Sequence, residues 1–118
     1  MTTVSRTQAL RDLIDLREPV ADAVRRLRAF PWDSDAELTV LGPGNVIHVL
    51  DLYLHGVLAS AEVEEWAEAI EGRDDIGYEF PHGETLKQLI FELANPLLTR
   101  QLEPSRAREW KDTFAGTD

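Results

Sequence analysis

The chain has 118 residues, 43% of them hydrophobic, and a formal net charge of −10. That length supports one domain with its own core, and the absence of cysteine excludes a disulfide framework or a thiolate metal site. Residues 1–30 carry +2 and residues 31–118 carry −12, a balance that repels phosphate backbones and anionic lipid and favours a cationic partner. No apolar stretch reaches the ~20 residues a membrane helix requires. The opening MTTVSRTQALRDLIDL lacks the basic-then-apolar layout of a signal peptide, so the expectation is a soluble, cytoplasmic protein that contacts neither membrane nor nucleic acid directly.

In chain order, TQALRDLIDLRE sets Leu10, Leu13 and Ile14 at helical spacing, flanked by Val4 and Arg17. Pro19 interrupts it, predicting a break near Glu18 and a second helix, PVADAVRRLRAF. Val20, Ala23, Val24, Leu27 and Phe30 form the stripe of that helix, and Asp22 stands four residues before Arg26, a favourable pair. FPWDSDAELTVLGPGN ends the pattern. Leu38 and Val40 alternate, so ELTVL reads as a short strand or a helical turn, and Gly42-Pro43-Gly44 as a turn. Asn45 is the expected N-cap of VIHVLDLYLH, which Gly56 ends at the C′ position. Ser60 is the expected cap of AEVEEWAEAIE, where Val63, Trp66, Ala67 and Ile70 give the chain's strongest helical stripe, and Gly72 ends it.

RDDIGYEFPHG reads as loop with a short extended IGYEF. In ETLKQLIFELA the inward face is Leu86, Leu89, Ile90 and Leu93, and Pro96 forbids continuation. A last helix from Pro104 buries Ala107, Trp110 and Phe114. The fold predicted is all-α, a single domain over 1–118 of about six short helices with room for one small two-stranded ribbon.

Motifs for chemistry are sparse. His48, Asp51 and His55 fall at i, i+3 and i+7, a ligand set that suits zinc or ferrous iron by residue type. Two turns of helix separate the imidazoles by about 10 Å of rise, too far to share one ion comfortably, and Asp51 with His55 reads equally as an ordinary i, i+4 pair. Asp33, Asp35 and Glu37 begin like a calcium loop, but Leu38 and Gly44 stand where glycine and glutamate are needed. GPGN lacks the lysine and hydroxyl residue of a phosphate loop, and no Gly-x-Ser-x-Gly is present. Arg25, Arg26 and Arg28 are expected to pair within the fold, with the acidic helix or with Asp22.

The densest feature is EVEEWAEAIEGRDD, seven carboxylates and one arginine in fourteen positions. With the Trp66 stripe inward, Glu64, Glu65, Glu68 and Glu71 cover the outer face, and Asp74 and Asp75 continue it. Carboxylates at these spacings repel one another, so local stability does not explain them. Solubility is one explanation and a docking surface for a basic protein is the other. Tyr78 and Phe80, beside the acids, are candidate apolar anchors, with core packing as their alternative role.

The run VIHVLDLYLHGVLASAEVEEWAEAIEGRDDI resembles an arrangement in small acidic bacterial proteins: an apolar helix ending in Tyr-x-x-Gly, then an apolar-small-Ser-Ala-x-Glu start to an acidic helix. Similar helix pairs occur in immunity proteins of the colicin D type, which neutralise a cognate toxin nuclease. The matching positions are Tyr53, Gly56, Leu58, Ser60, Ala61, Glu62 and Val63, about a quarter of the chain; Trp66 and Arg73-Asp74-Asp75-Ile76 fall outside the pattern. The resemblance implies a toxin-binding acidic helix, hence a non-enzymatic immunity or antitoxin-like inhibitor without cofactor. The alternatives are a small metal-dependent enzyme or metal-binding protein using His48, Asp51 and His55, a mimic of DNA, and a structural or assembly subunit.

Overall fold

The computed structural model describes residues 5–115, so Val4 lies outside the described residues. The order of elements is α1 (Arg6–Ile14), α2 (Val20–Leu27), β1 (Thr39–Leu41), α3 (Pro43–Leu54), α4 (Ser60–Ile70), β2 (Ile76–Tyr78), α5 (Gly83–Ala94) and α6 (Pro104–Phe114). The fold is mostly α, as the helical stripes predict. β1 and β2 form a two-stranded parallel sheet, with Thr39, Val40 and Leu41 opposite Ile76, Gly77 and Tyr78. Parallel strands need a long crossover, and here α3 and α4 supply it.

The expected inward residues meet in one core. Leu10, Leu13, Val63, Trp66, Ala67, Ile70, Leu86, Leu89 and Ala107 are fully buried, and Ile90, Leu93, Trp110 and Phe114 nearly so. α4 lies mainly against α5 and also touches α2 and α3, α1 packs on α2, and α3 on α6. Trp66 centres this arrangement: its indole Nε1–H donates to the Leu13 carbonyl at 2.8 Å, tying α4 to α1. At the other end Glu92 accepts from Arg106 at 2.8 and 2.7 Å and from Trp110 Nε1 at 2.8 Å, clamping α6 to α5.

Helix ends depart from the sequence reading. Asn45 is not the N-cap of α3. Proline needs no partner for its missing N–H and so takes the first helical position. The cap is therefore Gly42, whose N–H donates at 2.9 Å to the side chain of Asn45, the third residue of the helix. Likewise Ala59 rather than Ser60 caps α4, its N–H donating to Glu62 Oε1 at 3.0 Å. α1 ends at Ile14, before the predicted break near Glu18. Leu16 takes a left-handed φ of 51°, with its N–H donating to Leu13 and that of Arg17 to Asp12, each at 3.1 Å, a Schellman closure. Gly56 closes α3 in the same way at φ 78°, as expected, and Gly72 follows α4 at φ 81°. Among the described residues no helix is long and apolar enough to cross a membrane.

Candidate functional site

Burial of Val63, Trp66, Ala67 and Ile70 fixes the rotation of α4 and turns its glutamates outward. Glu68 is exposed and Glu64 and Glu65 are half-buried. None of the three forms an ion pair with a described residue. The first two helices are different: Asp12 and Glu18 pair with Arg26, Asp15 with Arg17 and Asp22 with Arg25. Arg25 and Arg26 therefore pair within the fold, but not with α4, and Asp22 takes Arg25 one turn away rather than Arg26. Arg28 has no ion pair among the described residues. Burial, a hydrogen bond with Glu64, and the charges of Glu64, Glu65 and Glu71 raise the Glu68 carboxyl above its ordinary value of 4.5. The crowding of acids foreseen in the sequence is present and uncompensated.

Three grooves, each sharing a lining residue with the next, follow α4 and the segment after it. The largest, about 720 Å³, lies between α2 and α4, with Leu27, Phe30 and Trp32 on one wall and Glu65, Glu68 and Ala69 on the other. Arg73 also borders a second groove of about 390 Å³ holding Glu71, Asp74 and Tyr78. Tyr78 and Lys87 lead into a third of about 340 Å³ bearing Phe80. Six of the eight anticipated site residues thus lie along the band that these grooves trace. Glu64 falls off it, one turn before Glu68 and beside Leu93 and Leu102. Within the band Glu71 accepts from Asn95 Nδ2 at 3.1 Å and so partly serves α5.

Asp75 requires correction. It does not extend the acidic surface but is 0% exposed, because its backbone enters the sheet: its carbonyl accepts from Leu38 N–H at 2.8 Å. Its carboxylate takes Arg73 Nε at 2.9 Å and Arg6 Nε at 2.8 Å. Burial alone would raise this carboxyl; the hydrogen bonds and charges of Arg73 and Arg6 outweigh burial and hold it below the ordinary 3.8. Both arginines also donate to the Pro31 carbonyl, at 3.0 and 2.9 Å, and Arg6 donates to that of Asp33 at 2.7 Å. The node therefore pins the loop after α2, where Asp33, Asp35 and Glu37 lie. The two aromatic anchors differ. Phe80 is 92% exposed, whereas Tyr78 packs half-buried against the core, and burial followed by the Glu71 charge raises its phenol above 10.0.

The histidine set does not converge. Among the described residues no group of three potential ligands is placed to hold a metal ion. The Asp51 carboxylate pairs with Lys111 of α6, while His55 Nδ1 lies 2.7 Å from the Asp51 backbone oxygen, so the expected side-chain pair is replaced by these contacts. Sequence reasoning missed Trp32 and expected Arg28 to pair within the fold; both line the groove opposite the acids. The Pro-Trp after α2 marks only a helix stop when read locally. Comparison with protein-family models, with curated proteins and with solved structures finds no match for this chain.

Proposed function

We propose that this chain is a non-enzymatic protein-binding module, an immunity- or antitoxin-like inhibitor acting in the cytoplasm on a basic partner such as a toxin nuclease. The observation that carries the reading is the contrast in charge pairing among the described residues: Asp12, Asp15, Glu18 and Asp22, in and between α1 and α2, are matched by arginines, whereas Glu65 and Glu68 of α4 are not. Leaving like charges adjacent costs stability in the free protein, and a cationic surface offsets that cost on binding. Asp74 extends the acidic rim, and Phe80 supplies an exposed aromatic anchor of the kind that dominates binding hot spots. Inhibition is by occlusion, with the charges speeding association and apolar contacts setting residence time. The helix-pair resemblance supports the same reading through Tyr53, Gly56 and Ser60.

The test is capture of the partner from the native host, followed by kinetics with the purified pair. Glu65→Lys with Glu68→Lys is expected to slow association and to weaken its dependence on salt, since steering is screened beyond ~8 Å at physiological ionic strength. Asp35→Lys with Asp112→Lys controls for net charge; both are exposed acids outside the band. Asp12, Asp15 and Asp22 do not serve as controls, because each holds an arginine. Equal losses from both pairs of changes would reduce the effect to net charge, and no loss from either would leave the acids as a solvating face.

A further inference from the structure

We infer that the groove between α2 and α4 is the seat of a basic-aromatic segment of a partner protein, taking an apolar side chain between Trp32 and Ala69 while a neighbouring lysine or arginine pairs with Glu65 and Glu68. The inference rests on the acidic-docking reading of α4 and deepens it by naming what the partner must present. The groove, about 720 Å³ and open to solvent, lies in the size range of ligand sites; its open length suits a chain segment laid along the surface. Its apolar surface comes from Val24, Leu27, Phe30, Trp32 and Ala69.

Charge divides the two rims. Among the described residues, Glu65 and Glu68 on the α4 side form no ion pair with a cation, and Arg28 on the α2 side forms none with an anion. Arg73, also in the lining, is already committed to Asp75 and to the Pro31 carbonyl. A cation in the ligand is therefore complementary at the α4 rim, and a carbonyl or carboxylate at Arg28. The outer wall is preorganised. Trp32 is 47% exposed, yet the Arg73 guanidinium lies 4.8 Å from its ring centroid and its carbonyl accepts from Asp74 N–H at 3.1 Å. An exposed tryptophan placed by these two contacts beside acids with no ion pair among the described residues has the chemistry of a binding hot spot, where less ordering entropy is lost on contact.

The probe is the amidated peptide Lys-Lys-Phe-Lys-Lys, titrated into the whole protein and followed by the NMR resonances of the Trp32 indole N–H and the Ala69 amide. A saturable shift of both is expected. Serine in place of the peptide's phenylalanine, or Trp32→Ala in the protein, is expected to weaken binding about tenfold. Ala69→Leu, which fills the groove rather than opening it, is expected to do the same, with thermal melts confirming that each variant folds. Glu65→Gln with Glu68→Gln should weaken binding of both peptides. Equal affinity for the phenylalanine and serine peptides, with loss only on the glutamate changes, overturns the groove inference while leaving the acidic reading intact. Absence of any saturable shift at Trp32 overturns it as well. Binding insensitive to the glutamate changes removes the cationic half of the proposal and with it the charge reading of α4.

Discussion

Trp66 shows how much of this molecule one residue determines. Its indole is fully buried and its N–H reaches the carbonyl of Leu13, so it fills the core and also sets the rotation of α4. Trp66→Ala is expected to lower stability by about 3–5 kcal/mol, and Trp66→Phe, which keeps most of the ring but loses the hydrogen bond, by about 1–2 kcal/mol, measured by urea unfolding. Two acids give opposite responses to pH. The Asp75 pKa is held below 3.8, so its contribution is complete above that unfolded value and is lost as pH falls through the lower folded one. Asp75→Asn should cost about 3–5 kcal/mol near neutrality, the cost of breaking a buried pair, and its deficit should shrink in strong acid. The Glu68 pKa is raised above 4.5, so its ionised form opposes folding at neutral pH, and that penalty fades as pH falls through the raised value. Glu68→Gln should therefore raise the thermal midpoint at pH 7 and lose its advantage below pH 4. In the sequence Asp74 and Asp75 are adjacent acids and indistinguishable. What separates them is the strand that begins at Ile76 and a guanidinium from Arg6, a partner far away in the chain.

At the level of elements, helical faces were legible and helix ends were not. The stripes of α1, α4, α5 and α6 follow from the 3.6-residue period, which needs no knowledge of neighbours. Starts depend on which of several polar residues closes the first turn. Asn45 and Ser60 both satisfy a local cap rule, but Pro43 and Ala59 shift the boundary, leaving the side chains of Asn45 and Glu62 to reach back from inside. Among the ends, Leu16 occupies a left-handed position that glycine usually fills, and its half-buried side chain packs on the core. At Gly56 the same conformation carries no side chain, and a methyl group there would meet nothing within 4 Å. Gly56→Ala should then cost about 1 kcal/mol from backbone strain alone, checked by denaturant titration at constant m-value. A much larger loss would point to a steric clash that the surroundings of Gly56 do not contain.

For the whole molecule, the uneven charge distribution is resolved in two ways. Arg17, Arg25 and Arg26 are taken up by acids of the same N-terminal region, Asp12, Asp15, Glu18 and Asp22, and Arg6 by the buried Asp75, while Glu65 and Glu68 form no ion pair with a described residue. Added salt should raise the thermal midpoint by screening the repulsion of a −10 protein, and should raise it less in the Glu65→Lys, Glu68→Lys variant. Half of the candidate groove was legible, because α4 reveals its acidic face by periodicity. The other half was not, since Trp32 is held by Arg73 across a long stretch of intervening chain. The parallel pairing of β1 with β2 also orders events in time. Closing it fixes the ends of a segment that contains α3 and α4, an entropic cost that nothing local repays. The strand pair is accordingly expected to form late and to open early, so the Leu38 amide, bonded to the Asp75 carbonyl, should exchange its hydrogen at lower free energy than the amides of α4. When the pair opens, the Asp75 node releases the loop that carries Trp32. The order of the docking wall would then depend on a pair of three-residue strands rather than on the helices that frame it.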